Sequence, residues 1–573
     1  MTRDPWRAVL EEAGSLRARA ALSLNIPPIP VPFEEPDEAL GDLAFGCFVY
    51  AKRMQQSPDA IASRLAPAIL RGRFIASATA TGGYVNLRVD PVVLASETLR
   101  ALRETVEAYG AADPRAERVL LEHTSVNPTG PIHVGRARNP IIGDSLARIL
   151  RKAGFPLTTE YLVNDVGKQM VLLYWGVTHL KPSDVAPAES TKEDHALLPY
   201  YVKANELAEK DPRVNKEVEA MIRRFEDGDA DLTREISQVS RRILSGIVQT
   251  LERIRISFDG FFWESELILK GRIGPVIERL KALPDVHEED GAYYIDMAPF
   301  GVKGRDTKWF LTKKDGTSLY PTRDIAYHLD KFTRCDVAIN VLGENHRLES
   351  EQLRTALKLL GERVPEAVFY SYVVLPEGKM ATRKGRIVAM DELIDEAFAR
   401  ALDEVRKRRP ELPEARMREI AEAVGIAALR YNIVRVQPEK KITFRWEEAL
   451  NFEGNSAPFL QYAHARTCGI LGKAGPFEPG DPALLLHPEE ARLVKLLAKF
   501  PYVIRKAAED RRPHEVAAFA YDVAAQLNLF YRDCPVLPAD PPLRAARLGL
   551  VDGTRIVLQG ALDCLGLPAP REM

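Results

Sequence analysis

The sequence predicts an α/β protein: a parallel sheet, split by a helical insertion, lies between a small α+β N-terminal module and an all-α C-terminal region. Three observations support this fold class. Strand-like apolar runs alternate with helical periods across residues 116–390. A charged, mostly helical stretch at about 185–262 interrupts that alternation. Beyond about residue 390 the strand-like runs end, and helical periods continue towards residue 573.

Composition narrows the functional classes. With 573 residues the chain is too long for one hydrophobic core, which predicts roughly three or four domains. A formal net charge of −2 provides no overall field for nucleic acid, so such binding would need local basic patches. The five cysteines are far apart and form no CxxC pair, which argues against a zinc knuckle and against a disulfide scaffold. With no signal-like N-terminus and no apolar run of about 18 residues, we expect a cytoplasmic protein without a membrane span.

Residues 1–115 are expected to form the α+β module. A hairpin is predicted because alternating residues flank Gly82-Gly83, a typical tight turn. The proline-rich segment that follows the first helix predicts an extended linker. In chain order we predict an amphipathic helix at residues 1–25, the linker at 26–36, two further helices at 37–57 and 61–70, and the hairpin at 74–89.

The first stretch with chemical character follows a short apolar run, Arg118–Leu121. Prolines and glycines between Pro128 and Gly135 predict a loop, and apolar residues then recur at helical spacing. Strand, loop and helix in this order typically hold a phosphate at the helix N-terminus. His133 and Arg136 lie at the turn, and Gly135 leaves room for a ligand near the backbone. Taken alone, a histidine beside a glycine is more often structural.

The rest of the α/β region continues the alternation around the helical insertion. Asp290-Gly291 and Asp315-Gly316 predict two tight turns. Before and within the insertion we predict a strand at 158–163, a helix at 168–180 and the charged helices at 190–256. After it we predict a strand at 336–342, a helix at 348–360 and a strand at 367–375.

A second stretch with chemical character, Gly378–Gly385 (GKMATRKG), follows the last of these strands. Lys379, Arg383 and Lys384 place three cations on one glycine-bounded loop, which could close on a polyphosphate. By itself such a loop is most often a solvated turn. Together with the loop of His133, however, it indicates a nucleotide site, because each loop follows a predicted strand at one end of the α/β region.

The C-terminal third predicts a helical basic connector at 391–427 and a helical bundle at 428–573, with its clearest helices at 493–505 and 516–531. Basic and aromatic side chains interleave in this region. That mixture suits stacking on unpaired bases with phosphate neutralisation. A solvated bundle with buried aromatic rings explains the same pattern equally well.

The two loops resemble the signatures of class I aminoacyl-tRNA synthetases. His133-Val134-Gly135-Arg136 is similar to the HIGH-type loop, and Lys379–Arg383 with Lys384 is similar to the KMSKS-type loop. Further blocks resemble the arginyl-tRNA synthetase family over essentially the whole chain, namely EHTSVNPTGPIHVGRARN, YLVNDVGKQ, SLYPTRDIAYHLDK and WEEALNFEGNSAPFLQYAHAR, which begin at residues 122, 161, 318 and 446. The resemblance implies a Rossmann-like catalytic domain at 116–390, an N-terminal domain that contacts the tRNA elbow, and a helical anticodon-binding domain.

The resemblance also implies a reaction and a set of site residues. ATP and arginine would form arginyl-adenylate, with Mg²⁺ sharing the phosphate charge, and the arginyl group would pass to the terminal ribose of tRNA(Arg). The implied catalytic residues are His133, Arg136, Lys379, Arg383 and Lys384. ATP would contact His133, Gly135, Arg136, Lys379, Met380 and Lys384. Arginine would contact Glu122, Ser125, Val126, Asn127, Arg136, Glu264, Tyr320, Asp324 and His346. tRNA would contact Arg430, Tyr431, Arg435, Tyr462 and Arg466.

Two positions depart from the family pattern. Arg136 stands where the HIGH-type loop usually has its second histidine, and His346 stands where relatives usually have a glutamine. Each candidate carboxylate could instead form an ordinary ion pair, and Asp324 could cap a helix. A small-molecule nucleotidylyltransferase with an HxGH loop and a non-catalytic tRNA-binding relative are the alternative functions. The family also implies a monomer.

Overall fold

The computed structural model describes residues 3–302, 307–374, 382–383 and 386–573. The N-terminal part folds as helices packed on an antiparallel sheet of order β1-β3-β2. Its elements are α1 (Pro5–Ser23), β1 (Leu43–Gly46), α2 (Phe48–Met54), α3 (Pro58–Ala68), β2 (Ile75–Thr81), β3 (Tyr84–Val89) and α4 (Pro91–Thr105).

The predicted hairpin is confirmed. Gly82 and Gly83 have positive φ angles of 57° and 81°, the conformation that a two-residue hairpin turn requires. The helix predicted over 37–57 is wrong, because β1 occupies part of that segment and pairs with β3. All four residues of β1 are buried. An apolar run this short has no periodicity by which a strand could be distinguished from a helix.

The central part contains a parallel sheet of five strands among the described residues, in the order β11-β10-β4-β5-β6. Its elements up to the insertion's end are β4 (Val119–Glu122), α5 (Arg138–Lys152), β5 (Leu157–Val163), α6 (Lys168–His179), α7 (Glu193–Lys210), α8 (Pro212–Glu226), α9 (Ala230–Arg253) and β6 (Gly260–Trp263). Neighbouring strands β5 and β6 are thus separated in sequence by four helices. The predicted helical insertion is confirmed.

A small antiparallel sheet, in the order β7-β8-β9, precedes the return to the parallel sheet. The elements here are α10 (Ser265–Leu269), α11 (Ile273–Lys281), β7 (Val286–Glu289), β8 (Ala292–Asp296), β9 (Lys308–Phe310), α12 (Tyr320–Arg334), β10 (Val337–Gly343), α13 (Arg347–Leu359), β11 (Glu366–Tyr370), β12 (Val373–Val374), β13 (Thr382–Arg383) and β14 (Arg386–Ile387). From β4 the chain adds strands towards β6, whereas β10 and β11 lie on the other side of β4. The crevice between β4 and β10 is therefore the topological switch point, where open parallel sheets bind ligands.

The single strand predicted over 367–375 is wrong, since it breaks at Ser371. The Ser371 backbone N–H donates to the carbonyl oxygen of Pro438, and its own carbonyl accepts from the buried Arg138 guanidinium at 2.8 Å. The chain beyond the break, β12, pairs with a strand of the C-terminal region and not with the main sheet. Tertiary contacts, which local sequence does not encode, thus end the strand.

The C-terminal region is a helical bundle. Its elements are α14 (Met390–Arg408), α15 (Glu414–Val434), β15 (Ile442–Thr443), α16 (Trp446–Ala449), α17 (Ala457–Ala474), α18 (Pro488–Glu509), α19 (Pro513–Asp533) and α20 (Pro541–Cys564). The two-residue strand β15, paired with β12, corrects the expectation that strands end near residue 390. Otherwise the predicted fold class is confirmed. Among the helices of the described residues, none combines the length and apolar character needed to cross a bilayer.

Candidate active site

A cavity of about 490 Å³ opens at the carboxyl ends of β4 and β10 and is bordered by α12 and α13. It brings together most of the residues predicted to contact arginine: Glu122, Ser125, Asn127, Arg136, Glu264, Tyr320, Asp324 and His346. Val126 instead lines a neighbouring cavity of about 830 Å³, together with His133. Asn127 and Arg136 line both cavities, so they lie where the two meet.

The loop after β4 has an uncommon backbone conformation. Thr124 and Ser125 have positive φ angles of 71° and 42°, which residues with side chains rarely adopt. Asn139 on α5 holds this loop: its Oδ1 accepts from the Thr124 N–H at 2.7 Å, and its Nδ2 donates to the Val341 carbonyl at 3.0 Å. The Ser125 hydroxyl donates to Glu122 Oε1 at 3.0 Å. The loop thus returns the Ser125 side chain to Glu122 and fixes one oxygen of that carboxylate.

The loop of His133 is fixed by backbone bonds to the segment that precedes α14. The Val134 N–H donates to the Val388 carbonyl at 3.0 Å, and the Met390 N–H donates to the Ile132 carbonyl at 2.7 Å. Burial, aided by the nearby Arg136 cation, lowers the pKa of His133, which keeps the imidazole neutral near pH 7. Arg136 is exposed, and its guanidinium gives this loop a permanent positive charge.

The second signature loop lies mostly outside the described residues. Lys379, Met380 and Lys384 belong to that part, so the structure does not test their predicted roles. The backbone of Arg383 is described as part of β13, which pairs antiparallel with β14.

Two of the predicted carboxylates are ion-paired inside the protein. Glu122 Oε2 lies 2.5 Å from the Nζ of the fully buried Lys331. Glu264 Oε1 accepts from Arg323 Nε at 2.6 Å, and both side chains are buried. Burial raises the pKa of Glu264 to about 7, against the opposing pull of the Arg323 guanidinium. For Glu264 the ordinary ion pair is thus what the structure contains, while contact with a ligand stays a prediction.

Asp324 is the most open of the three carboxylates, with 41% of its side chain exposed, and it lines the cavity. Helix α12 begins at Tyr320 with Leu319 at the N-cap position, so Asp324 does not cap it. The Tyr320 hydroxyl lies close to Gly167, where an added Cβ would come within 2.9 Å of it. Gly167 also has a φ of 111°, so both backbone conformation and space favour glycine there.

The expectation that Arg430 and Tyr431 contact tRNA is wrong, since their side chains are 0% and 1% exposed. Arg430 joins three parts of the protein: it donates to Asp144 on α5 at 2.5 Å, to the Ile254 carbonyl after α9 at 2.6 Å, and to the Leu565 carbonyl after α20 at 3.1 Å. These residues lie on a stretch of α15 that is covered by other elements on all sides.

The other predicted tRNA contacts lie nearer the surface. Arg435 pairs with Glu448 at 3.2 Å. Tyr462 is 45% exposed, and the Arg466 guanidinium lies 4.8 Å from its ring centroid and 5.1 Å from that of Tyr531. Tyr531, itself 48% exposed, was not predicted. Tyr462, Arg466 and Tyr531 form an aromatic–cation cluster, in which the two rings are exposed and Arg466 is half-buried and also donates to Asn528.

Sequence reasoning also missed polar residues behind the cavity. They are Asn139, Arg323, His328, Lys331 and Asn340. Two signals could have found some of them. Asp324, His328 and Lys331 recur at the spacing i, i+4, i+7, which places them on one face of α12. Asn340 is a polar residue in the middle of an apolar strand, a pattern that calls for a hydrogen-bond partner.

Comparison with known proteins yields consistent matches. Three family profiles match the chain: "tRNA synthetases class I (R), catalytic domain" at residues 98–446, "DALR anticodon binding domain" at 460–573, and "Arginyl tRNA synthetase N terminal domain" at 8–89. Arginine–tRNA ligase of Methanocella arvoryzae is 43% identical over 99% of this chain and 99% of its own length. That of Methanothermobacter thermautotrophicus is 41% identical over 100% and 98%.

Solved structures agree with these matches. Thermus thermophilus arginyl-tRNA synthetase superposes with a TM-score of 0.84 at 29% identity, covering 100% of both chains. The Plasmodium falciparum arginyl-tRNA synthetase has a TM-score of 0.80 at 16% identity, covering 99% of both chains, and it supports the fold alone.

Proposed function

Because the chain belongs to the arginyl-tRNA synthetases of class I, we propose that it activates L-arginine with ATP and transfers the arginyl group to the 3′-terminal ribose of tRNA(Arg). The observation that carries this proposal is the cavity at the switch point of the sheet, where carboxylates and the His133 loop converge. The reaction joins the substrate carboxylate to the α-phosphate and releases pyrophosphate. Because the attacking group is already an anion, no general base is needed, and catalysis consists of positioning and charge stabilisation.

Specificity for arginine follows from the carboxylates of the cavity. A guanidinium is a planar fork of donors, and it pairs best with carboxylate oxygens held in fixed positions. Asp324, with its open side chain, and Glu122 are the proposed acceptors. Lysine would leave part of these acceptors unpaired, so discrimination does not require an editing site. Tyr320 would pack on the guanidinium, and Glu264 would reach it only with the oxygen that Arg323 leaves free.

The opposite end of the amino acid would lie near the loop after β4. Ser125, Val126 and Asn127 are proposed to surround the α-amino group there, and His346 to approach from the start of α13. The Val126 carbonyl accepts from the Tyr161 hydroxyl at 2.6 Å, so its backbone is already fixed. Asn127 donates one amide hydrogen to Gln169 at 3.1 Å, so a ligand would use its second amide hydrogen or its Oδ1.

ATP would lie against the His133 loop. Neutral His133, the Gly135 backbone and the N-terminus of α5 are the proposed phosphate contacts, and Arg136 adds a permanent cation that a neutral imidazole would not supply. Lys379, Met380, Arg383 and Lys384 would close on the β- and γ-phosphates. We propose that Mg²⁺ enters with the ATP phosphates and shares their charge.

tRNA would contact domains at both ends of the chain. We propose that the N-terminal module, residues 1–115, contacts the elbow, and that the bundle at 428–573 reads the anticodon through the cluster Tyr462, Arg466 and Tyr531, with Arg435 nearby. Exposed rings beside a guanidinium suit stacking on unpaired bases. The connector at 391–427 would join the bundle to the catalytic domain at 116–390. A monomer and a cytoplasmic location complete the proposal.

An aminoacylation assay with total tRNA and each of the twenty amino acids tests the function. We expect charging with arginine alone, dependent on ATP and Mg²⁺. A nucleotidylyltransferase would charge no tRNA, and a non-catalytic relative would bind tRNA without arginine-dependent exchange of pyrophosphate into ATP. Either result would refute the proposal. The matching family profile over the C-terminal region already argues against a small-molecule transferase, which has no need of an anticodon-binding domain.

A further inference from the structure

A continuous chain of polar contacts runs beneath the cavity and connects Glu122 with Asp324. Lys331 Nζ lies 2.5 Å from Glu122 Oε2 and donates to Asn340 Oδ1 at 2.8 Å. Asn340 Nδ2 lies 2.8 Å from His328 Nε2. His328 Nδ1 in turn lies 2.8 Å from the Asp324 backbone oxygen and 3.1 Å from its Oδ1. The three intermediate side chains are 0%, 4% and 2% exposed, so they are shielded from water.

Donor and acceptor chemistry fixes the direction of every bond in this chain. A lysine ammonium carries only donors, so Asn340 must present its carbonyl oxygen to Lys331. The Asn340 amino group then faces His328, whose Nε2 must accept the bond and cannot carry a proton. The neutral ring therefore carries its proton on Nδ1 and donates it to the Asp324 backbone carbonyl at 2.8 Å, with the carboxylate Oδ1 at 3.1 Å as the second, longer contact. The buried Lys331 ammonium thus sets the tautomer of His328 through Asn340, which lies between them.

We propose that Lys331, Asn340 and His328 are positioning residues that hold Glu122 and Asp324 as one preorganised pair of acceptors for the substrate guanidinium. The proposal rests on the arginine-activating function proposed above and deepens it. The relay makes no contact with the reacting atoms. Its role is to fix the Asp324 carboxylate, which is 41% exposed and would otherwise rotate between several orientations.

The charges around the cavity fit the same role. The lining carries four carboxylates, those of Glu122, Glu264, Asp324 and Glu349, and two guanidinium groups, those of Arg136 and Arg323. Lys331 is buried against Glu122, and Arg323 is buried against Glu264. Because these two cations are each paired with another carboxylate, the charge of Asp324 is left for the substrate guanidinium.

Variants of His328 test the relay in ATP–pyrophosphate exchange with saturating tRNA. His328→Phe removes both ring nitrogens at similar size, and we expect the arginine KM to rise about tenfold or more, while the ATP KM stays within about twofold. His328→Asn keeps a donor near the Nδ1 position, and we expect it to return the arginine KM to within about threefold of the wild-type value. Asn340→Leu breaks the same relay at near-constant volume and should reproduce the His328→Phe effect, even if the latter fails to fold.

A matched control separates this role from general destabilisation. His464 is also buried, at 1% exposure, but it lies on α17 in the C-terminal bundle and bonds the Pro570 carbonyl. His464→Phe should lower the melting temperature without changing the arginine KM. Equal rises in both KM values for His328→Phe and Asn340→Leu, or no rescue by His328→Asn, would overturn the relay. If wild-type exchange does not depend on arginine at all, the proposed function fails instead, so the two failures are distinguishable.

Discussion

Replacing Arg430 by methionine tests whether this residue is a buried connector or a tRNA contact. The guanidinium donates to the Asp144 carboxylate at 2.5 Å and to two backbone carbonyls, those of Ile254 and Leu565. Methionine fills a similar volume but donates nothing. Asp144 would then keep only Arg148, at 2.7 Å, and both carbonyls would lose a buried donor.

The expected cost follows from the burial of the pair, whose side chains are 0% and 6% exposed. Removing one partner of a buried ion pair costs about 3–5 kcal/mol, because the remaining charge is left uncompensated. Arg148 offsets part of this loss, so we expect the lower half of that range. At roughly 2–4 °C per kcal/mol for a domain of this size, the melting temperature should fall by roughly 6–16 °C.

Thermal unfolding and tRNA binding of the same preparations decide the question. Arg466→Met is the matched control, because Arg466 is only half-buried and lies between the exposed rings of Tyr462 and Tyr531. We expect Arg466→Met to weaken tRNA binding with little change in melting temperature, and Arg430→Met to do the reverse at temperatures where it is folded. If Arg430→Met melts like the wild type and binds tRNA as weakly as Arg466→Met, the burial argument is refuted.

Three further predictions concern the active site. Asp324→Asn should raise the arginine KM about 10- to 100-fold through loss of a charged acceptor, and normal arginine saturation in the exchange assay would contradict the pocket assignment. Glu264→Gln should change the pH dependence of stability. In the wild type the pKa of the Glu264 carboxyl is raised to about 7, so the free energy of unfolding falls as pH rises from the usual carboxyl range to 7. The amide of the variant does not titrate and has no such loss. The melting temperature of this variant should therefore gain on the wild type between pH 5 and 8, and a constant difference would count against the raised pKa. Lys384→Ala should slow adenylate formation far more than it weakens arginine binding, and equal losses in stopped-flow rate and KM would exclude a transition-state role.

Local chemistry was sufficient for several features. Gly82-Gly83 between alternating residues specified the hairpin, and the Pro/Gly-rich loop between an apolar run and a helical period specified the strand–loop–helix order of β4 and α5. Residues that follow parallel strands converge at one edge of the sheet, whatever their separation in sequence. Glu122, at the end of β4, follows this rule, whereas Asp324, about 200 residues away on α12, was assigned to the same cavity by the resemblance to the arginyl-tRNA synthetase family.

The sequence did not predict which buried charged residues form ion pairs and hydrogen bonds with one another. Glu264 was expected to face a ligand, yet its nearest cation is Arg323 from the first turn of α12. Lys331, Asn340 and His328 form a relay only because α12 lies across β10 in this register. Hydrogen-bond partners at this range depend on distances of a few tenths of an ångström, which helical or strand periodicity does not determine.

By itself the sequence determined the fold class, the hairpin at Gly82-Gly83 and the strand, loop and helix around His133, because turn residues, apolar periods and glycine positions act locally. Tertiary structure alone decided which basic and aromatic side chains reach solvent. The stretch of α15 around Arg430 and Tyr431 combines arginine with tyrosine, as does the stretch of α17 around Tyr462 and Arg466. The first is buried because Arg430 contacts Asp144 on α5 and the backbone that follows α9 and α20, whereas the Tyr462 ring is open. Burial thus depends on what packs against a helix as much as on the helix itself.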